Sequence, residues 1–196
     1  DFLALAPRIV RALAVVHAAG VLHKDIKPDN ILVGPGQRRV ALADFSIASV
    51  LSEERSAAAS PEVLEGSLGY LSPEQTGRMN RPVDYRTDYY SLGATFYELL
   101  TGELPFRSSD PLELVHAHVA RLPLAPAIQR PQLPAPLSAL VMRLLAKNAE
   151  LGDLLQIVHV SLNYGFAALL AVACSPARPG DDARAADDAV VAIDGT

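Results

Sequence analysis

The chain has one cysteine, Cys174, in 196 residues. A lone thiol closes no intrachain disulfide and builds no thiolate metal cluster, which suits a reducing, cytoplasmic compartment. Cationic blocks are also missing. The 17 Lys and Arg are scattered against 22 Asp and Glu, for a net charge of −5, which argues against nucleic acid as a partner. No N-terminal secretory pattern is visible, and the chain enters a helical pattern at once without an initiating methionine, so a piece of a longer protein is expected. A clean apolar run of membrane-spanning length is lacking too. The best candidate, Leu154 to Cys174, is interrupted by Gln156, His159, Ser161 and Asn163. A packed helix is expected there rather than a membrane span, followed by a disordered tail over 175–196, rich in Pro, Asp and Ala.

What is present is enough for one globular domain: half the residues are hydrophobic and 20% are charged. Ile9, Val10, Leu13 and Val16 define a helical face over 7–19, with Pro7 suited to the first turn and Gly20 to the stop. His17 on this helix reads as an ordinary packed or surface histidine. Ile31–Val33 and Val40–Ala43, separated by Gly34-Pro35-Gly36, predict a short β-hairpin. Residues 51–65, rich in Ser, Glu and Ala, predict a loop. The run from Asp84 to Leu100, closed by Gly102, predicts a helix buried on most sides. Asp110-Pro111-Leu112-Glu113 reads as an N-cap, a first-turn proline and a capping-box glutamate for a helix ending near Arg121. His116 and His118 lie two apart, face different sides of that helix and do not share a metal in the usual way. Five prolines over 122–136 predict an extended connector, and helical spacing resumes over 137–147.

Chemistry concentrates in His23-Lys24-Asp25-Ile26-Lys27-Pro28-Asp29-Asn30, a loop between a helix and a short strand. A carboxylate, a lysine two places on and an amide form the set phosphoryl transfer uses: a proton acceptor, a cation for the phosphate and an oxygen ligand for Mg²⁺. Eight residues alone would also fit a plain polar turn. Asp44-Phe45-Ser46 follows one hairpin later and places a second carboxylate at a strand end. Ser72-Pro73-Glu74 comes next, behind a stretch where Ser67 is either a phosphorylation site or an ordinary loop serine.

In order and spacing these motifs resemble a eukaryotic-type serine/threonine protein kinase, its C-terminal lobe, over 1–150. The stretch 65–106 is similar to a bacterial branch in which the kinase domain heads a large signalling protein with ATPase, GAF and histidine kinase domains. The resemblance implies a mainly α fold with a short β-hairpin, ATP and Mg²⁺ as cofactors, and a protein hydroxyl as substrate. It makes Asp25 the catalytic base and Lys27 the phosphate contact and mark of serine/threonine specificity. Asn30 and Asp44 become the Mg²⁺ ligands, and Asp88 the support of the catalytic-loop backbone. Lys24 replaces the usual arginine, which puts clamping by a phosphorylated loop in question, and Ser46 replaces a glycine and predicts a stiffer loop. No Gly-rich strand pair or strand lysine precedes Asp25. The N-terminal lobe is therefore expected to be absent and the isolated chain inactive, with a pseudokinase or regulatory interaction module as the alternative. The arginine that pairs with the glutamate of the Ala-Pro-Glu motif, here Glu74, has no counterpart before Arg178. A buried Glu74 without it should be costly or protonated.

Overall fold

A computed structural model describes residues 2–54, 67–79 and 81–148. Among them are six α-helices and two two-stranded antiparallel sheets, so the mainly α reading with a short hairpin holds. The expected segments at 151–174 and 175–196, and most of the loop at 51–65, lie outside the described residues. No helix among the described residues is long and apolar enough to cross a membrane.

Helix α1 spans Phe2–Ala18, a turn longer at its start than the sequence predicts, with Pro7 inside it. A proline at that depth removes one helical hydrogen bond. The first turn is retained by packing: Phe2 meets Phe96 edge-on with ring centroids 5.1 Å apart, and Ala6, Ile9, Val10 and Leu13 are buried on the same face. Gly20 ends the helix at φ +71°, its N–H donating to His17 O at 2.9 Å, in a conformation that costs a residue with a side chain.

The chain then pairs β1 (Val21–Leu22) with β4 (Ser49–Val50), a contact the sequence did not announce. Between them stands the predicted hairpin, β2 (Ile31–Val33) against β3 (Val40–Leu42), with Leu32 opposite Ala41. A helix, α2 (Leu51–Glu54), follows where a loop was expected.

Helix α3 (Tyr85–Thr101) is the central post. It is capped by Asp84, whose side chain accepts the Arg86 N–H, and every residue from Thr87 to Tyr97 is buried. Helix α6 (Ala135–Leu144) crosses it so closely at Gly93 that a Cβ there would sit 2.7 Å from Leu144 Cβ. Tyr89, Leu92, Phe96, Leu137, Leu140, Val141 and Leu144 join α1 in one core. At about 25 cal/mol per Å² of apolar area, burial of this kind is the main favourable term.

Two expectations at the far end change. Helix α4 (Pro111–Ala120) keeps its Asp110 cap to Leu112 N–H, but Glu113 does not close a capping box. The Ser108 hydroxyl accepts the Asp110 N–H at 3.0 Å and donates to Glu113 at 2.8 Å, taking both roles the box would need. The proline-rich connector holds a turn of helix, α5 (Pro126–Gln129), because Pro126 occupies its first position, where no N–H is required.

Candidate active site

The loop 23–30 takes its shape from α3. Asp88, fully buried in the first turn of that helix, accepts the Lys24 N–H on Oδ1 at 2.7 Å and the His23 N–H on Oδ2 at 2.9 Å. This is the backbone support expected of it. His17 Nε2 also donates to Asp88 Oδ2, at 2.8 Å, so α1 reaches the same carboxylate. Lys24 sits at φ +66°, a left-handed conformation that costs a non-glycine residue energy and persists only when its surroundings enforce it. They do so on both sides: Asp88 holds its N–H, and Gln75 Nε2 donates to its carbonyl at 2.8 Å. Ile26 is buried in the core beneath, with Thr95 Oγ1 donating to its carbonyl at 3.2 Å.

Three of the four sequence-predicted residues meet on this platform. Lys27 Nζ donates to Asp25 Oδ2 at 2.7 Å, and Asn30 Nδ2 donates to the same oxygen at 3.0 Å and to Asp25 O at 2.8 Å. Ser67 completes the group, its N–H donating to Asp25 Oδ1 at 3.0 Å and its hydroxyl accepting from Lys27 Nζ at 2.7 Å. Burial pushes the Asp25 carboxyl up. The hydrogen bonds from Lys27 and Ser67, with the Lys27 charge, outweigh it, and Asp25 is held below the ordinary aspartate value. The group is ionised at neutral pH.

Asp44 stands apart at the end of β3, exposed and at φ +61°, with its Oδ1 accepting the Ser46 N–H at 3.3 Å. Hydrogen bonds from the Ser46 side chain and backbone lower its pKa, and the charges of Asp25 and Lys27 both act on it. The strand end is fixed to the loop: Ala43 N–H donates to Asn30 O at 2.9 Å, and the His23 ring lies 4.6 Å from that of Phe45. His23 Nδ1 accepts the Asp25 N–H at 3.3 Å, which leaves Nε2 protonated to donate to Ala43 O at 3.0 Å. Positive φ falls on Asp44 rather than Ser46, so the serine in place of glycine meets no left-handed strain here.

The donor set fits a hard cation shared with phosphate. With its amide nitrogen committed to Asp25, Asn30 has a side-chain oxygen to offer, and Asp44 adds an ionised carboxylate; Mg²⁺ takes one or two protein oxygens and fills its shell with water and phosphate. Among the described residues no group of three or more His, Cys, Asp or Glu could hold a metal alone.

Glu74 is 4% exposed and accepts the Thr87 hydroxyl at 2.8 Å. Burial raises its pKa, and no cationic partner stands beside it among the described residues. Sequence reasoning missed His17 and Gln75 as supports of the loop and did not see Ser67 as a direct neighbour of Asp25 and Lys27. His17 and Gln75 carry no local signal, because their partners lie 71 and 51 residues away.

A buried aspartate shaping a loop that joins Asp, Lys and Asn, with a second aspartate at a following hairpin's end, is the arrangement of a phosphotransferase lobe. The protein kinase domain family matches residues 2–155, and the chain belongs to that family. It is 38% identical over 140 residues to the serine/threonine-protein kinase PknB of Mycobacterium tuberculosis, covering 71% of this chain and 22% of that protein. PknB of Mycolicibacterium smegmatis is 36% identical over the same coverage. The serine/threonine-protein kinase PksC of Streptomyces coelicolor is 37% identical over 140 residues, covering 71% of this chain and 25% of its own length. The chain thus spans about a quarter or less of these relatives.

Proposed function

We propose that this chain is the catalytic lobe of a serine/threonine kinase that transfers the γ-phosphoryl group of Mg-ATP to a protein hydroxyl in the cytoplasm. The observation that carries the reading is the occupancy of Asp25. Its ionised carboxylate accepts from Lys27, Asn30 and the Ser67 N–H, with the Ser67 hydroxyl also against it, so a substrate hydroxyl entering in place of that of Ser67 would meet a proton acceptor. The substrate oxygen attacks the γ-phosphorus, its proton passes to Asp25, and the bond to the β-phosphate oxygen breaks to release ADP. Lys27 has spent two of its three N–H donors on Asp25 and Ser67, and the third would serve a phosphate oxygen. Bound Mg²⁺, held by Asn30 and Asp44, would neutralise charge on the phosphates. Leu32 and Val33, exposed on the strand that leaves Asn30, offer an apolar surface to the nucleotide base.

The test is a thermal-unfolding scan with and without Mg-ATP, run beside Asp44→Ala and paired with a radiolabelled transfer assay on a generic protein acceptor. A Mg-dependent shift lost in the variant is the expected result. Ligand at 100 times its Kd stabilises by about 2.7 kcal/mol, so even weak binding registers. Transfer by the complete kinase domain, abolished by Asp25→Asn, completes the reading. Binding without transfer, or a folded chain that shows neither, would favour the alternative of a pseudokinase or regulatory interaction module, which Lys24 and Ser46 support.

A further inference from the structure

One residue past Ser67 the chain meets a second polar cluster, built from α3, α4 and the residues that follow α6. His118, on α4, is completely buried. Its Nδ1 lies 3.0 Å from the Tyr90 hydroxyl of α3, and Lys147 Nζ donates to that same hydroxyl at 2.7 Å. The ammonium also stands over two rings, 4.9 Å from the centre of Tyr90 and 4.6 Å from that of Phe106. Phe106 in turn meets the His118 ring edge-on at 5.1 Å. Burial lowers the Lys147 amine to about 8, so at pH 7 it is still mostly a cation. A lysine cation has no lone pair, which gives the bonds a direction. Lys147 donates to the Tyr90 oxygen, the Tyr90 hydroxyl hydrogen goes to Nδ1 of His118, and the one proton of the neutral ring is left on Nε2. Burial first, and the Lys147 charge after it, keep that ring neutral, with a pKa of about 3.

The buried Nε2–H makes no full hydrogen bond among the described residues, and the group that acts on it is the backbone of Leu68, which favours a proton there. Leu68 opens the 3₁₀ turn Leu68–Tyr70, which lies against α4, and its side chain packs on Phe106, Leu114 and Ala117. The turn is closed by the Tyr70 N–H on Ser67 O at 2.9 Å, and Ser91 Oγ ties it to α3 by donating to Tyr70 O at 2.8 Å. Ser67 is therefore the residue on which this turn begins, and the one whose N–H reaches Asp25 and whose hydroxyl meets Lys27. We propose that His118 is a positioning residue for the Asp25 cluster: held in one tautomer by Tyr90 and Lys147, it anchors the Leu68 backbone and so sets the Ser67 N–H on Asp25. The importance of this anchor for catalysis rests on the phosphoryl-transfer reading of that cluster. Packing alone would not call for these residues. A phenylalanine at 118 and a methionine at 147 would fill the same apolar space without the desolvation that both ionisable groups bear here. What the polar chain supplies, and an apolar one lacks, is a donor aimed from α4 at the backbone beside the site.

The experiment is histidine-selective nitrogen NMR on the full 196-residue chain, joined to hydrogen exchange at the Ser67 amide, which bonds Asp25 Oδ1 at 3.0 Å. The wild type is expected to show a neutral His118 with its proton on Nε2 at pH 7. His118→Phe keeps a ring but no N–H, and should speed exchange at Ser67 about tenfold or more relative to Leu92, buried in α3, whose amide reports global stability. Tyr90→Phe removes a single hydroxyl and is the gentler variant. It should abolish the tautomer preference and speed Ser67 exchange by a smaller factor. His118→Gln, with an NH₂ for Leu68 and an oxygen for the Tyr90 hydroxyl, should recover much of the protection. A proton on Nδ1, a charged ring at pH 7, or Ser67 exchange that rises no more than that of Leu92 in both ring variants would overturn the proposal and leave His118 a packing residue. None of these readouts requires transfer. Ser67 protection that depends on His118 in a domain that transfers no phosphate would support the positioning role and overturn the phosphoryl-transfer reading alone.

Discussion

Replacing Glu74 with glutamine should stabilise the protein at neutral pH, although the side chain is almost completely buried. The carboxylate is 4% exposed; its hydrogen bonds come from neutral groups, the Thr87 and Ser72 hydroxyls and a backbone N–H, while Asp84 adds repulsion. Desolvation of a buried ion costs several kcal/mol, and the raised pKa means that these bonds do not fully offset it. Glutamine removes the charge and keeps an oxygen to accept from the Thr87 and Ser72 hydroxyls. The net gain is about 1–2 kcal/mol, or roughly 2–8 °C in Tm for a chain of this size. The pH dependence gives the sharper test. Because the folded pKa is raised, the native state binds the proton more tightly than the unfolded chain, so this group's contribution is full below the ordinary glutamate value of 4.5 and falls as pH climbs to the folded pKa. Melting curves of wild type and Glu74→Gln should converge near pH 4 and separate as pH rises. A variant that melts lower at neutral pH, by an amount indifferent to pH, would refute the reasoning and point to a cation paired with Glu74 from the residues beyond 148.

Asp88→Asn should be far more damaging, since an amide accepts only through its oxygen while His23 N–H, Lys24 N–H and His17 Nε2 all donate to the carboxylate. Two donors left facing an NH₂ predict a loss of roughly 2–5 kcal/mol, read as a lower urea midpoint at unchanged slope, together with loss of any phosphoryl transfer. Gly93→Ala should lower stability by about 1–3 kcal/mol even though alanine is the better helix former, because the new methyl would meet Leu144 Cβ at 2.7 Å; a melt at or above wild type would mean α6 yields without cost. His118 is buried, and burial followed by the Lys147 charge depresses its pKa from 6.5 to about 3. The stability this neutral ring contributes is present above 6.5 and is lost on acidification, by about 2 kcal/mol at pH 5. His118→Asn should flatten that limb of the pH–stability curve.

The chemistry of the site was legible because it is local. Asp25, Lys27 and Asn30 fall within six positions, and a short loop leaves them little choice but to meet. Asp88 was legible for a different reason: it stands in the first turn of a helix whose apolar run marks it as the central post. His17 was not, since nothing about a histidine on an amphipathic helix says that a carboxylate 71 residues on will accept its hydrogen bond. The failures in the fold have the same origin. Pro7 reads as a helix start by propensity, but the edge of Phe96 against Phe2 keeps one more turn. Glu113 fits a capping box by spacing, but a serine hydroxyl two residues before Asp110 is nearer. Pro126 looked like part of an extended run when it was a first helical position. Local rules lost wherever a tertiary partner, or a closer local one, offered a better bond.

The three donors on Asp88 have a consequence for the order in which the molecule assembles. They come from positions 64, 65 and 71 residues distant, and further bonds to the loop, from Gln75 and Ser67, close over 51 and 42 residues. The bonds from Asp88 that hold Lys24 and His23 form only once α3 has docked against the loop. The loop is therefore a late acquisition on the folding route, formed after the barrier is crossed, so that damage to Asp88 should quicken unfolding and leave the refolding rate almost untouched.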